Sequence, residues 1–435
     1  MNEMASAPAG DSSAAADDRG RALDTPGRRC APVWLKGLTY SVFGMYGGIV
    51  AVSVPQLLAW QHVPESTIAT ASAVIISPAF WCFLLSPVLD VRFSRRWYSL
   101  ATASAAAALL VMAVLALKRV LLFEVFLTAG FLSASLYQGA LGGWLASITR
   151  SDDEHRLSVW VNIGNICAGG AMAMLTGELV TTLAPVRAAL ILGAAILAPT
   201  LVFFWMPAPP AGISGARGSF MEFLRDLRLL LRRREILWAL LLFAAPVATF
   251  SLTNFLGGLG HDFHASTHFV GLLGGSAVVI GGACGCFAFP LIDRLLPLRP
   301  LYLAIGVAGA LFTLTLILAP HVPWAFAVAM IGQNAFQALA FTAGTAITLV
   351  AIGRGNPLSA TAWSLMFSIY NLPITYMLLI DGAGYGWHGV SGSFLADGAV
   401  SLTACLVLAL CLFLSSRGAP AGSTSAPHVS SAKSG

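Results

Sequence analysis

The sequence predicts an all-α membrane protein of twelve transmembrane helices in two pseudo-symmetric six-helix halves. Three observations predict it. Of 435 residues, 57% are apolar and only 10% charged, with a mean hydropathy of +0.80, whereas a soluble domain carries about 25% charge. Apolar runs of about 20 residues, enough to cross a hydrocarbon core as helix, recur along almost the whole chain. Features of the first half also return 203 residues later. A soluble enzyme is excluded because a water-soluble fold cannot hide so much apolar surface. An outer-membrane barrel is excluded because its segments are about 10 residues long and alternate in polarity.

Residues 1–33 are rich in Ala, Ser, Gly, Asp and Arg without apolar periodicity and read as a disordered tail. The first apolar run begins too late and is too long for a signal peptide. The spans are expected at 34–60, 66–90, 97–117, 120–149, 157–181 and 187–206 in the first half (34–206). In the second half (236–415) they fall at 236–260, 267–292, 301–320, 324–352, 359–381 and 391–415. The connector 207–235 opens with PAPPAG, which stops a helix. It continues as FMEFLRDLRLLLRRRE, whose apolar spacing and arginines suggest a basic amphipathic helix on the membrane surface. Residues 416–435 read as a second tail.

Twelve spans put both termini on one side, and that side carries 21 of the 24 Lys and Arg residues. The other holds only Lys118, Arg119 and Arg187. The positive-inside rule therefore makes both tails cytoplasmic. The net charge of +5 is explained by topology signals facing lipid, so no nucleic-acid partner is implied. The seven cysteines show neither a CxxC pair nor metal-ligand spacing and read as packing residues.

Two connectors resemble each other: SPVLDVRFSRRWYSL after the second span and FPLIDRLLPLRPLYL after the eighth. Asp90 and Asp293 are 203 residues apart, and so are Trp160 and Trp363. Agreement at matching places in two halves argues for an internal 6+6 repeat. The arrangement resembles the major facilitator superfamily, whose loop between spans two and three carries an Asp followed by basic residues. Asp90 with Arg92, Arg95 and Arg96, and Asp293 with Arg299, are thereby expected to form a conformational latch. The bland alternative for the arginines is ordinary loop charge.

Three stretches further resemble the peptide and acetyl-coenzyme A transporter branch, best known for the muropeptide permease: LLAW ending at Trp60, FLLSPVLD at 83–90, and LSATAWSLMFSIYNLP at 358–373. The departures are informative. Where that branch often has two acids in span four, this chain has Gln138 and Gly142, and where it often has a Lys in span two, this chain has Cys82. Losing a compensating set of charges together leaves no orphan. The resemblance implies a carrier of the bacterial inner membrane, expected to be a monomer. Its partners are a small-molecule solute and the lipid bilayer, and no cofactor is implied.

Polar residues near mid-membrane are the candidate solute contacts: Tyr46, Tyr137, Gln138, Asn254, Gln333, Gln337, Tyr370 and Asn371, with Asn162, Asn165, Thr249, Thr253 and Asn334 as further candidates. Of these, the resemblance favours the ones in spans one, four, seven and ten, which it implies line the cavity. The alternative is that such amides join helices, at about 0.6–2 kcal/mol each. HDFHASTH places His261, Asp262, His264 and His268 together, but exposed loop histidines are the commoner explanation and no metal site is expected. The glycines of GLLGGSAVVIGGACGC read as helix-crossing positions, because no GxxxxGK[ST] follows to hold phosphate. Glu124, Glu178, Asp381 and Asp397 sit towards outer span ends. Glu124 and Glu178 are the candidates for any proton coupling, and weak or absent coupling is expected.

The functional expectation is a secondary transporter of a small neutral or amphiphilic solute such as a muropeptide, acyl-coenzyme A or siderophore. A membrane assembly or sensor protein on the same fold remains the alternative. An enzyme is not expected, as no paired His, Ser or acid motif lies at the interface. Reporter fusions after Arg150, Arg217 and Arg354 should report cytoplasm, and those after Glu65, Arg119 and His321 the opposite side. An external Arg217 would overturn the twelve-span count.

Overall fold

The computed structural model describes residues 31–90, 93–209, 225, 228–249, 251–256, 259–354 and 356–417. Most of both expected tails, Arg92 and most of the expected linker helix therefore lie outside the described residues. Among those described, nine helices are long and apolar enough to cross a membrane. One of them comprises two spans, and two further spans are broken, which accounts for twelve.

The first half contains α1 (Val33–Trp60), α2 (65–90), α3 (Arg95–Leu115), α4 (Val120–Ile148), α5 (Ser151–Thr182) and α6 (Pro185–Phe204). The second contains α7 in two pieces (Arg234–Phe243 and Ser251–Leu256), α8 (Thr267–Ile292), α9 (Leu298–Leu318), α10 (Pro323–Ile352), α11 (359–387) and α12 (390–417). In each half long apolar faces pack into a common core, with most of the buried side chains in one continuous cluster. Gly281 and Gly285 of α8 abut backbone oxygens of α10 at Ile331 and Ala335, a close crossing that a side chain would prevent. Gly271, on the same small-residue run, faces open space instead.

α2 stops being regular helix at Ser77–Pro78 and finishes in 3₁₀ turns ending at Asp90. α7 breaks around Pro246, where the ring removes an N–H donor and Ala248 takes a positive φ of 46°. Backbone carbonyls freed inside a membrane need other donors. The Tyr376 hydroxyl donates to Ala244 O at 2.8 Å, and Gln337 Nε2 donates to Thr249 O at 2.5 Å and to Thr253 Oγ1 at 3.1 Å.

α11 continues beyond the expected end at residue 381 and turns into α12 at His388–Gly389, where Gly389 has φ 59°. Gly382, Gly384 and Gly386 do not end the helix, and the hairpin partner packs on it at Gly384. Gly384 lies against Gly392, and Ser393 Oγ donates to Asp381 O at 2.9 Å. Asp381 is thus within the helix rather than at its end.

Replacing Gln337 by Leu leaves the Thr249 carbonyl without its donor and should lower stability by about 1–3 kcal/mol, read as a lower melting temperature in detergent. Tyr376→Phe should cost about 1 kcal/mol. Unaltered melting in both would mean that the α7 break does not depend on these two side chains.

Candidate functional site

The most heavily bonded link between the two halves is a carboxylate at one face. Asp90, at the end of α2, is 2% exposed and receives five hydrogen bonds. Arg95 donates to Oδ1 from Nε at 3.1 Å and Nη2 at 2.8 Å, and the Ala360 N–H adds a third at 3.1 Å. Oδ2 accepts from the Thr361 N–H at 2.8 Å and hydroxyl at 2.7 Å. Asp90 thus caps the N-terminus of α11 from the other half of the protein, where exposed N–H groups and the helix dipole favour an anion. Arg95 Nη2 also donates to Pro357 O at 2.8 Å.

Around this cap the halves touch closely. Ser359 Oγ donates to Gly143 O at 3.0 Å, Arg354 Nε donates to Thr149 O, and Trp363 Nε1 donates to the Tyr40 hydroxyl at 3.1 Å. Gly143 lies directly against the Ala360 backbone and Gly142 against the Trp363 indole, so a side chain at either would push α4 and α11 apart. The repeat-related contact is weaker: Asp293, at the end of α8, meets His155 Nδ1 at the start of α5 at 2.9 Å, with side chains 14% and 37% exposed. Arg96 lies 6.0 Å over the Phe204 ring, and Arg299 is half-buried outside both pairs.

Above the Asp90 cap lies a cavity of about 20 Å³ between the halves, room for about one water molecule. Its walls are mainly aromatic: Tyr40, Phe243, Phe341, Trp363, Phe367 and Tyr370, with Asn162, Asn165, Thr345 and Thr348 as polar groups. No charged side chain lines it. Asn162 Nδ2 joins α5 to α10 across the halves, donating to Thr345 Oγ1 at 2.8 Å and Phe341 O at 3.3 Å. α5 has a π-turn at Ile163–Cys167, the kind of local widening often found at functional positions, and Asn165 lies within it.

Of the eight candidate solute residues, only Tyr370 lines this cavity, 4.3 Å from the Phe341 ring centroid. Gln333 Nε2 donates to Thr313 Oγ1 at 2.7 Å, and Gln337 serves the α7 break. Tyr137 donates to Thr39 O at 2.7 Å, while Asn371 Nδ2 and Asn334 Nδ2 donate to carbonyls one turn back, Phe367 O and Met330 O. Asn254 is exposed. Tyr46 and Gln138 are fully buried, and neither the Tyr46 hydroxyl nor either end of the Gln138 amide has a hydrogen-bond partner. The aromatic wall was missed by reading for polarity, because an aromatic ring facing a cavity and one facing lipid look alike in sequence.

The acids divide sharply. Glu178 is exposed and Glu124 half-buried. Asp381 and Asp397 are buried, 0% and 7% exposed, and near enough to act on one another electrostatically. Asp381 Oδ2 accepts from Ser251 Oγ of α7 at 2.5 Å, Oδ1 has no hydrogen-bond partner, and Asp397 lies beside Thr313 of α9. Their place inside apolar helices was the available signal. The group His261, Asp262, His264 and His268 forms no metal-ligating cluster among the described residues, and Asp262 accepts from the Tyr385 hydroxyl at 3.1 Å.

These features define a polytopic helical membrane protein with the major facilitator fold. No protein-family model and no curated protein sequence matches the chain. Solved structures do. The fucose:proton symporter of E. coli is similar at a TM-score of 0.64 and 14% identity, over 86% of this chain and 98% of that one. The human organic anion transporter MFSD10 is similar at 0.61 and 16%, over 88% and 100%. A bacterial homologue of the iron transporter ferroportin, in an outward-facing state, gives 0.60 and 15%, over 89% and 100%. At such identities the likeness establishes the fold.

Asp90→Ala leaves Arg95 and the α11 terminus without their anion and should destabilise the protein by about 3–5 kcal/mol. The corresponding Asp293→Ala should cost about 1 kcal/mol or less, because its pair is partly solvated. Melting temperatures of the two variants in detergent check the order; equal losses would contradict the asymmetry between the two contacts.

Proposed function

We propose that the protein is a secondary transporter working by alternating access, and that its solute binds between the halves in the aromatic cavity. One observation carries this reading. Among the described residues, every hydrogen bond between the halves lies between the latch face and mid-depth, the outermost joining Ser368 to Ala79 and Cys167 to Val279. Halves hydrogen-bonded at one face and, beyond mid-depth, in contact through packing such as Met174 against Gly275 suit a rocking exchange of access. In the latched state the cavity is too small for an organic solute, so admission requires the halves to part.

An aromatic, uncharged wall with a few amides and hydroxyls suits a neutral or amphiphilic solute. The sequence resemblance to muropeptide and acyl-coenzyme A carriers supports the larger end of that range. In a thermal-shift screen of purified protein against muropeptides, acyl-coenzyme A and siderophores, one class should stabilise the wild type. Asn162→Ala or Thr345→Ala should weaken that binding by about 1–2 kcal/mol. Stabilisation by none of the three would favour an assembly or sensor role.

The uncharged cavity supports movement down the solute's own gradient. A second reading, proton coupling, is favoured by the burial of Asp381 and Asp397 inside apolar helices, where ionisable groups mark proton pathways. Uptake into proteoliposomes separates them. Accumulation that a protonophore abolishes, and that Asp397→Asn removes, is the coupled outcome; uptake indifferent to both is the facilitator outcome. The same assays on Glu124→Gln test the more exposed acid.

A further inference from the structure

A second cavity, of about 650 Å³, opens on the face opposite the latch and lies wholly in the first half. The ends of α1, α3 and α5 and the starts of α4 and α6 surround it. Its cationic groups are Lys118 and Arg119, both exposed, and no Asp or Glu lines it. α4 starts at Val120, with Arg119 in the capping position and no side chain accepting from its first turn. The positive end of a 29-residue helix therefore adds to the two side-chain charges. The carbonyls at the end of α3, by contrast, are occupied by the following turn, as Ala116 N donates to Met112 O and Ala113 O.

Beside this positive corner the wall is apolar, formed by Trp60, Leu115, Leu122 and Phe126. Leu115 and Leu122 are also exposed, so the wall continues onto the surface that a span presents to lipid. An inorganic anion would use the charges and leave most of the volume and the apolar wall unfilled. A molecule with one anionic head and an apolar tail uses both. Lys118 and Arg119 are also two of only three basic residues on their side of the sequence-derived topology, a side on which Lys and Arg are otherwise avoided.

We propose that this pocket binds an anionic phospholipid of the adjoining leaflet. The phosphate lies at Lys118, Arg119 and the start of α4, and an acyl chain lies along Leu115, Leu122 and Phe126. Such a lipid joins five helix ends of the first half where no latch holds them.

The test uses the full chain in detergent, with phosphatidylglycerol, phosphatidylcholine and inorganic phosphate as probes. In native mass spectrometry the wild type should retain one phosphatidylglycerol under conditions that strip phosphatidylcholine. Lys118→Gln with Arg119→Gln should weaken that retention roughly 25-fold, each basic residue contributing a factor of about 5. Arg187→Gln, on the same face but outside the pocket, should keep it. Thermal stability should rise with phosphatidylglycerol and not with inorganic phosphate. Equal retention of the two lipids, undiminished retention in the double variant, or equal loss in Arg187→Gln overturns the proposal. So does a thermal shift reproduced by inorganic phosphate, which would make this a soluble-anion site. The wild-type comparison decides the matter even if the double variant fails to fold.

Discussion

The carboxylate of Asp90 is the constraint on which the cross-half geometry depends. It holds a buried guanidinium on its own side and two helix-terminal N–H groups plus a hydroxyl on the other. Each partner would be costly to bury alone, and together they satisfy one another. With α11 fixed to the end of α2, Gly142 and Gly143 can meet Trp363 and Ala360, and Trp363 can reach Tyr40. The floor of the aromatic cavity is made by that last contact. The repeat places Asp293 equivalently, but its histidine partner is half in water. The two sides of the pseudo-symmetric structure are therefore tied unequally.

Polar side chains inside the spans fall into three physical roles. Some repair the backbone, as Gln337 and Tyr376 do where Pro246 interrupts α7. Some join helices, as Gln333 does to Thr313 and Asn162 does between halves. A few are buried without a partner, above all Gln138, which occupies the place of an acid in the carrier branch that the sequence resembles. An amide there keeps hydrogen-bonding capacity without a buried charge. Asp381 and Asp397 carry carboxylates instead at a different place, between α7, α9, α11 and α12 of the second half.

The membrane class, the span count and the repeat were legible in the amino-acid sequence because each rests on quantities that are local or additive. Hydropathy over about 20 residues decides whether a helix can lie in lipid, whatever its neighbours. The offset that relates Asp90 to Asp293 needs only two matching motifs. The Asp90–Arg95 pairing was legible in part, since an acid followed by arginines stands at a helix end, although its partner on α11 was not.

Only the tertiary structure decided which way each polar residue faces, because that depends on the rotation of every helix against its neighbours. Gln333 and Gln337 share a helix face as their spacing requires, yet that face turns into the second half and not towards the cavity. Asp381 and Asp397 are 16 residues apart in sequence and become neighbours only because Gly389 lets α11 fold back into α12. The aromatic rings around the cavity come from four helices, α1, α7, α10 and α11, and a fifth, α5, adds its amides. Sequence fixes how apolar each helix is; which ring meets which amide is set by packing between segments hundreds of residues apart.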